Sequence, residues 1–332
     1  MRLRELFRTP ETIFWVYGFP ILLTIGLGIA FRRQPMDKIL VDIEQHAQAV
    51  ELSTLLAQSG QFQLTILTEE ECTRRLNTGK SAIVVRPGNP VTYRFDPTRT
   101  ESSYARIRLD DALQRAMGRK DALSTQDQWV TEQGSRYVDF LIPGLLGMNL
   151  LGGGLWGVGF VIVQMRVRKL IKRLVATPMP RSYFLLSMMS ARILFMMPEI
   201  GLLLGVGYWL FDLRIRGSIL ALLVLSVLGA ISFAGLGLLV ACRAQRIETV
   251  SGLINLALLP QWLFSGIFFS SERFPAVSQP FIQALPLTQL NNSLRAVILE
   301  GAPLFSQGVP LAVLSAWCLV SFFLALRWFR WS

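Results

Sequence analysis

The chain has 332 residues, of which 52% are hydrophobic and only 17% charged, with a formal net charge of +11. A charged fraction that far below the roughly 25% of soluble domains excludes an ordinary water-soluble protein. One histidine and three scattered cysteines leave no ligand set for a His/Cys metal site and no disulfide framework, and the basic excess lies beside apolar runs, which indicates membrane topology instead of nucleic-acid binding.

The elements follow in chain order. Arg2, Arg4 and Arg8 precede a charge-free run over 12–31, longer than a signal-peptide core and therefore expected to stay as a first span. Residues 32–136 are nearly neutral, with 15 Lys+Arg against 14 Asp+Glu in the sequence. Strand patterns over 39–43, 62–67, 82–85 and 91–95 alternate with helical ones over 46–58, 69–76 and 102–117. That order predicts a small α/β layer domain, with a polar return over 118–134. Charge-free runs over 140–165, 217–242, 249–271 and 301–326, and an apolar stretch over 183–211, supply five more spans.

Glycines crowd the second span, and Gly153 with Gly157 forms a small-xxx-small pair suited to helix packing. Over 165–181 the apolar Val167, Leu170, Ile171 and Leu174 recur at helical spacing. Arg166, Arg168, Lys169, Lys172 and Arg173 fall on the other side, and Thr177 and Pro178 begin the stop. Such a helix suits an anionic lipid surface or a partner protein, and the residues alone leave both open. Arg192 and Glu199 interrupt the third stretch. Two turns put them on one face, and a rise of about 10 Å suggests no direct ion pair, so Arg192 is expected to snorkel and Glu199 to serve a pathway, a gate or a structural partner. The uncharged 274–294, rich in Pro, Gln and Asn, does not suit a lipid-facing span and is expected to form a re-entrant outer hairpin within 272–300.

Lys and Arg in the short loops divide thirteen to four. Both termini and the loop 165–181 are expected on the cytoplasmic side, and the domain 32–136 outside. Enzyme signatures are missing: Thr78-Gly79-Lys80-Ser81 ends like a phosphate-binding loop, but Arg74 stands where its first glycine belongs.

The order of these parts resembles the permease subunit of ABC exporters of the ABC-2 type. The resemblance rests on Pro20 in the first span and on an inserted domain with Val41-Asp42, Thr78-Gly79-Lys80 before a strand ending at Pro87, and Asp96. It rests also on the basic loop ending Leu174-Val175-Ala176-Thr177-Pro178, and on Leu285-Pro286-Leu287-Thr288 to Asn292 with Leu294-Arg295-Ala296 before the last span. It implies a polytopic α-helical fold arranged as 1–31, 32–136 and 137–332. It also implies that Arg166, Arg168, Lys169, Lys172, Arg173, Thr177 and Pro178 couple to a separate ATPase. Two ATPase copies, which bind the ATP and Mg, and a second permease would complete an exporter in a prokaryotic inner membrane. No catalytic residue and no cofactor is expected in this chain. Arg192, Glu199, Asn255 and Gln261 are the candidates for the pathway or its gate. A membrane-anchored sensor or assembly factor and a secondary transporter are the alternatives, the latter disfavoured by the lack of an internal repeat.

Overall fold

The structure, a computed structural model, describes residues 13–30, 38–120, 123, 126, 136–176 and 180–328, without the side chains of residues 174, 175, 181 and 182. In chain order, helix α1 (Phe14–Ala30) precedes β1 (Ile39–Glu44), α2 (Ala49–Ala57), β2 (Phe62–Leu67), α3 (Glu69–Asn77), β3 (Ile83–Arg86), β4 (Thr92–Arg94) and α4 (Thr100–Ala116). Then come α5 (Tyr137–Val167), α6 (Leu170–Val175), α7 (Arg181–Phe211), α8 (Ile219–Ala241), α9 (Ile247–Phe264), α10 (Gln279–Ala284), α11 (Pro286–Arg295) and α12 (Gly308–Trp328). They form two compact units, residues 33–129 and the rest.

In the unit 33–129 the four strands lie where the alternation placed them, in the order β2-β1-β3-β4. β1 pairs in parallel with β2 and β3, and β3 pairs antiparallel with β4. Period-two geometry sends Val41 and Ile43 to one face of β1 and Asp42 and Glu44 to the other. The apolar pair joins Leu52 and Leu56 of α2 and Leu109 and Leu113 of α4 in a core. The carboxylates are buried on the face that carries α3, and there arginines replace apolar packing. Arg75 Nε donates to Asp42 at 2.9 Å, and Arg94 donates to Glu44 at 2.9 Å and to Thr73 of α3 at 3.0 Å. Buried carboxylates require such partners.

Among the described residues the second unit holds five helices long and apolar enough to cross a bilayer, α5, α7, α8, α9 and α12. The described part of the first run, α1, is apolar but shorter. α5, α8 and α12 run in the same direction. Along α5 and α8, Gly154 meets Phe233, Gly159 meets Gly237 and Arg166 meets Ala241. Along α8 and α12, Ser232 bonds to Leu314 and Gly235 meets Phe322. One end of the bundle therefore gathers the C-termini of α5, α8 and α12.

Within 272–300 the chain forms short pieces. α10 and α11 are separated by Leu285, and Pro286 opens α11, where its missing N–H costs nothing. α11 is buried around nearly its whole circumference, polar residues included. Asn291 Nδ2 donates to the Ser265 carbonyl at 2.9 Å, Thr288 to Ser265 Oγ at 3.1 Å, and Gln289 to the Gln283 carbonyl at 2.6 Å. A polar helix can sit among apolar ones only when its groups are paired in this way.

Candidate functional site

The single amphipathic helix expected over 165–181 is two pieces. α5 runs through Arg166 to Val167, the chain turns at Lys169 with φ +57°, and α6 starts afresh. The break has a visible cause. Arg166 Nη1 donates to the carbonyls of Ala241, at 2.9 Å, and Ala244, and Nη2 to that of Cys242 at 3.4 Å. These are carbonyls at and just past the end of α8, the negative end of that helix's dipole. α5 is thus tied down at Arg166, and α6 turns so that Ile171, 2% exposed, enters the bundle core, while Val167 and Leu170 stay open.

Of the expected coupling residues, Arg166 is therefore a clamp inside this chain. Arg168, Lys169, Lys172 and Arg173 are exposed, and Thr177 and Pro178 lie outside the described residues. The same end of the bundle adds Arg243 and Arg246, exposed between α8 and α9, and Arg327 near the end of α12. The thirteen-to-four division already expects these three on the side of the loop 165–181, and the parallel run of α5, α8 and α12 agrees. The opposite end is nearly balanced, with Arg136, Arg214, Arg216, Arg273 and Arg295 against Asp139, Asp212, Glu272 and Glu300.

The second locus lies within the spans. Arg192 and Glu199 do form a direct ion pair, contrary to the expectation from backbone rise. Nη1 reaches Oε1 at 2.7 Å and Nη2 reaches Oε2 at 3.0 Å, with side chains 6% and 2% exposed. Rise alone misleads here, because it measures the backbone only: residues seven apart share a face, and the long side chains of an arginine and a glutamate together span a rise of about 10 Å. Nη2 also reaches the carbonyls of Asn149 at 3.3 Å and Leu150 at 3.5 Å on α5. So Arg192 does not snorkel, and Glu199 is already neutralised by a bidentate partner.

The glycine pair expected to pack helices divides. A Cβ on Gly153 would lie 2.1 Å from the Arg192 Cζ, so this glycine makes the notch that seats the guanidinium; Gly157 has open space around it within the chain. Close helix approach runs instead through Gly154 and Gly159 against α8. Of the remaining pathway candidates, Gln261 is buried and its Oε1 accepts the Leu287 N–H at 3.2 Å, which satisfies a donor at the start of α11. Asn255 is exposed on α9. Two further residues stand out: Asn149, absent from the sequence expectations, and Arg295, which enters them only through Leu294-Arg295-Ala296. Asn149 accepts from Arg192 through its carbonyl while its Nδ2 lies 3.5 Å from the Val16 carbonyl of α1. Arg295 lies over the Phe140 ring at 3.5 Å and donates to the carbonyls of Phe140 and Gly266. An arginine ending a charge-free polar stretch was the available signal for the second; nothing in the sequence marked the first.

Thr78-Gly79-Lys80 closes α3. Gly79 has φ +72° and donates to the Leu76 carbonyl at 3.1 Å, and Lys80 donates to the Arg75 carbonyl at 2.9 Å. This is a helix C-terminus, the wrong end of the dipole for a phosphate. Among the described residues no three His, Cys, Asp or Glu side chains come together as a metal site.

The architecture has counterparts. A family described as ABC-2 type transporter matches residues 107–299, which takes in α5 to α11 with both loci. Over 196 residues the chain is 24% identical to ABC transporter G family member 20 of Dictyostelium discoideum, covering 58% of this chain and 27% of that protein. Over 163 residues it is 25% identical to the probable multidrug ABC transporter permease YbhS of Escherichia coli (strain K12), covering 49% of this chain and 43% of that one. It thus spans under half the length of these curated relatives. With more than half of its residues inside the family match, a bundle of apolar helices and a basic turn exposed at one end of it, this chain belongs to the ABC-2 type transporter family, as a membrane component of an ABC transporter.

Proposed function

We propose that the chain is the permease of an ATP-driven exporter, and that a separate ATPase docks on the turn Arg168–Arg173. The observation that carries this reading is the construction of that turn: charged outward, anchored inward by Ile171, and continuous with a helix whose last turn is clamped to α8 by Arg166. A push on α6 enters α5 and α8 together. Bonds to charged groups are worth about 1.5–3 kcal/mol each, enough for the two helices to move as one. The arginines and lysines gathered at that end against the nearly balanced charge at the other support a cytoplasmic turn, cytoplasmic termini and the domain 32–136 outside, while the long apolar helices with the shorter α1 support six spans, and the short α10 and α11 a re-entrant pair.

Two ATPases and a second permease copy would complete the machine, in the inner membrane of a prokaryote. ATP with Mg would supply its energy in the ATPases. Outward movement would follow a path between the permeases, with Asn255, exposed on α9, the remaining polar candidate to line it. The multidrug name of the E. coli relative makes amphipathic drugs the first cargo to assay.

The test reverses Arg168, Lys169 and Lys172 to Glu, with a Gln set as a companion that changes less charge. All three side chains are exposed, so expression and melting should hold. Affinity for the ATPase should fall by about tenfold or more, or at least 1.4 kcal/mol, because like charges across an interface repel. Unchanged co-purification and unchanged ATPase stimulation would refute the docking assignment.

A further inference from the structure

Arg192 and Glu199 neutralise each other, so an anionic site for a cationic cargo is not what they make. We propose that Arg192, Glu199 and Gly153 form an intramembrane clasp that holds α7 on α5 and carries movement from α5 to α7 during transport, a positioning role that rests on the exporter reading above.

The geometry is specific in three ways. The guanidinium uses one edge for Glu199 on its own helix and reaches carbonyls of α5 with the same Nη2. It can do so only because residue 153 has no side chain: a Cβ would meet Cζ, Nη2 and Nη1 at 2.1, 2.2 and 2.4 Å. The clasped carbonyls, of Asn149 and Leu150, lie one turn before the π-helical segment Leu155–Phe160. π turns inside α-helices are rare and frequently lie at functional positions. The clasp therefore grips α5 on the far side of that segment from the Arg166 clamp. Between the two, α5 contains Gly154 and Gly159, seated on the backbone of α8. Movement entering at α6 must cross this segment before it reaches the grip on α7.

Asn149 extends the node to a third helix. Its carbonyl receives Arg192 and its side chain reaches the Val16 carbonyl of α1, and Glu199 and Asn149 line one crevice with Val16, Tyr17 and Pro20. α1, α5 and α7 therefore meet at the clasp.

The experiment uses the full chain with its ATPase, and also the full chain alone in detergent. Arg192→Met with Glu199→Met replaces the pair by apolar side chains of similar length and leaves no buried charge, so the double variant should fold, a substitution buried ion pairs often tolerate. Gly153→Ala keeps both charges and fills the notch. In the chain alone, hydrogen exchange over 193–205 should rise roughly tenfold in both variants, as local opening becomes easier. In the complex, ATPase binding and basal hydrolysis should hold while cargo transport falls by a factor within the about 5–150 typical of coupling between sites. Arg192→Lys, which keeps the charge but loses the fork, should fall between.

Exchange on α7 that matches the unchanged protein in both variants would overturn the clasp, as would full transport by the double-Met variant. Loosened α7 in a chain that binds no ATPase would leave the clasp standing and remove the exporter reading.

Discussion

Replacing Gly237 by alanine tests how α5 and α8 are joined. The added Cβ would lie 2.3 Å from the Gly154 carbonyl oxygen and 3.1 Å from the Gly159 nitrogen. Ordinary contact begins at 3.4 Å, so the helices must part locally by about 1 Å. The obstacle is backbone and cannot rotate away. Overpacking of this kind costs about 1–3 kcal/mol, with the upper part of that range expected here. The same parting acts on the end of α8. Arg166 reaches the Cys242 carbonyl at 3.4 Å already, and a further ångström would break that bond. Thermal melting in detergent, followed by a thiol-reactive dye in a Cys72→Ser, Cys318→Ser background, reads the event near its source, since Cys242 is 6% exposed. Gly252→Ala is the control: it lies within α9 with nothing inside 4 Å, and alanine is favoured over glycine in a helix by about 1 kcal/mol. G237A should melt several degrees below the unchanged protein and G252A at or above it. Equal melting of the two variants would refute the reading of α5 and α8 as a glycine-mediated joint.

Two further outcomes concern the unit 33–129. Glu44→Gln should destabilise it by on the order of 2 kcal/mol, below the 3–5 of a fully buried broken pair because Arg94 and Arg86 are 34% and 57% exposed; Arg86→Ala should cost much less, and chemical denaturation of the two variants compares them. Burial, and then the hydrogen bond to Asp110, push the Tyr93 hydroxyl up to about 12 from 10.0. The folded state therefore holds this proton more tightly than the unfolded one. The resulting stability is fully present below about pH 10 and is lost as pH climbs toward 12. The melting difference between unchanged protein and Tyr93→Phe should be constant to about pH 9 and shrink above it; a difference that grows with pH would show the sign to be wrong.

Much of this fold could be read from the chain, because both of its solvents leave strong patterns. Alternation with β-branched residues located all four strands to within a residue or so, as Val41 and Ile43 against Asp42 and Glu44 illustrate. Long charge-free runs located the helices α5, α8, α9 and α12. The candidate sites were less legible, and for a common reason. Arg166 and Lys172 look alike in sequence; only the end of α8, 75 residues further on, turns the first into an internal clamp. Gln261 looked like a polar residue in a pathway, until α11 folded back to place a proline-led helix start against it. For Arg192 and Glu199 the distance along a helix axis omits the reach of the two side chains and the notch on a different helix. The misses at Arg166 and Gln261 concern partners remote in sequence, about which periodicity carries no information; the Arg192–Glu199 pair is local, and there the reach of the side chains was left out.

The glycines of α5 give the clearest case of why composition alone could not assign roles. Water provides no drive to join helices within a bilayer, so packing contacts and internal hydrogen bonds must hold them. A helix uniformly lined with leucine would slide and rotate against its neighbours. Five of the α5 glycines admit a neighbour: Gly144 the carbonyl of Ile267 beside Arg295, Gly147 the Asn291 side chain, Gly153 the Arg192 guanidinium, and Gly154 and Gly159 the backbone of α8, while Gly152 and Gly157 face open space within the chain. These fittings differ in shape and charge, so none can be exchanged for another by a shift along the helix. A register slip of one turn would bring a methyl or larger group against a guanidinium or an amide. The sequence shows seven glycines between residues 144 and 159 and suggests one small-residue seam. The structure makes five of them separate locks that fix the height and rotation of α5 against α7, α8 and α11. A helix fixed in height and rotation can transmit a displacement along its length, which a loosely packed one would absorb.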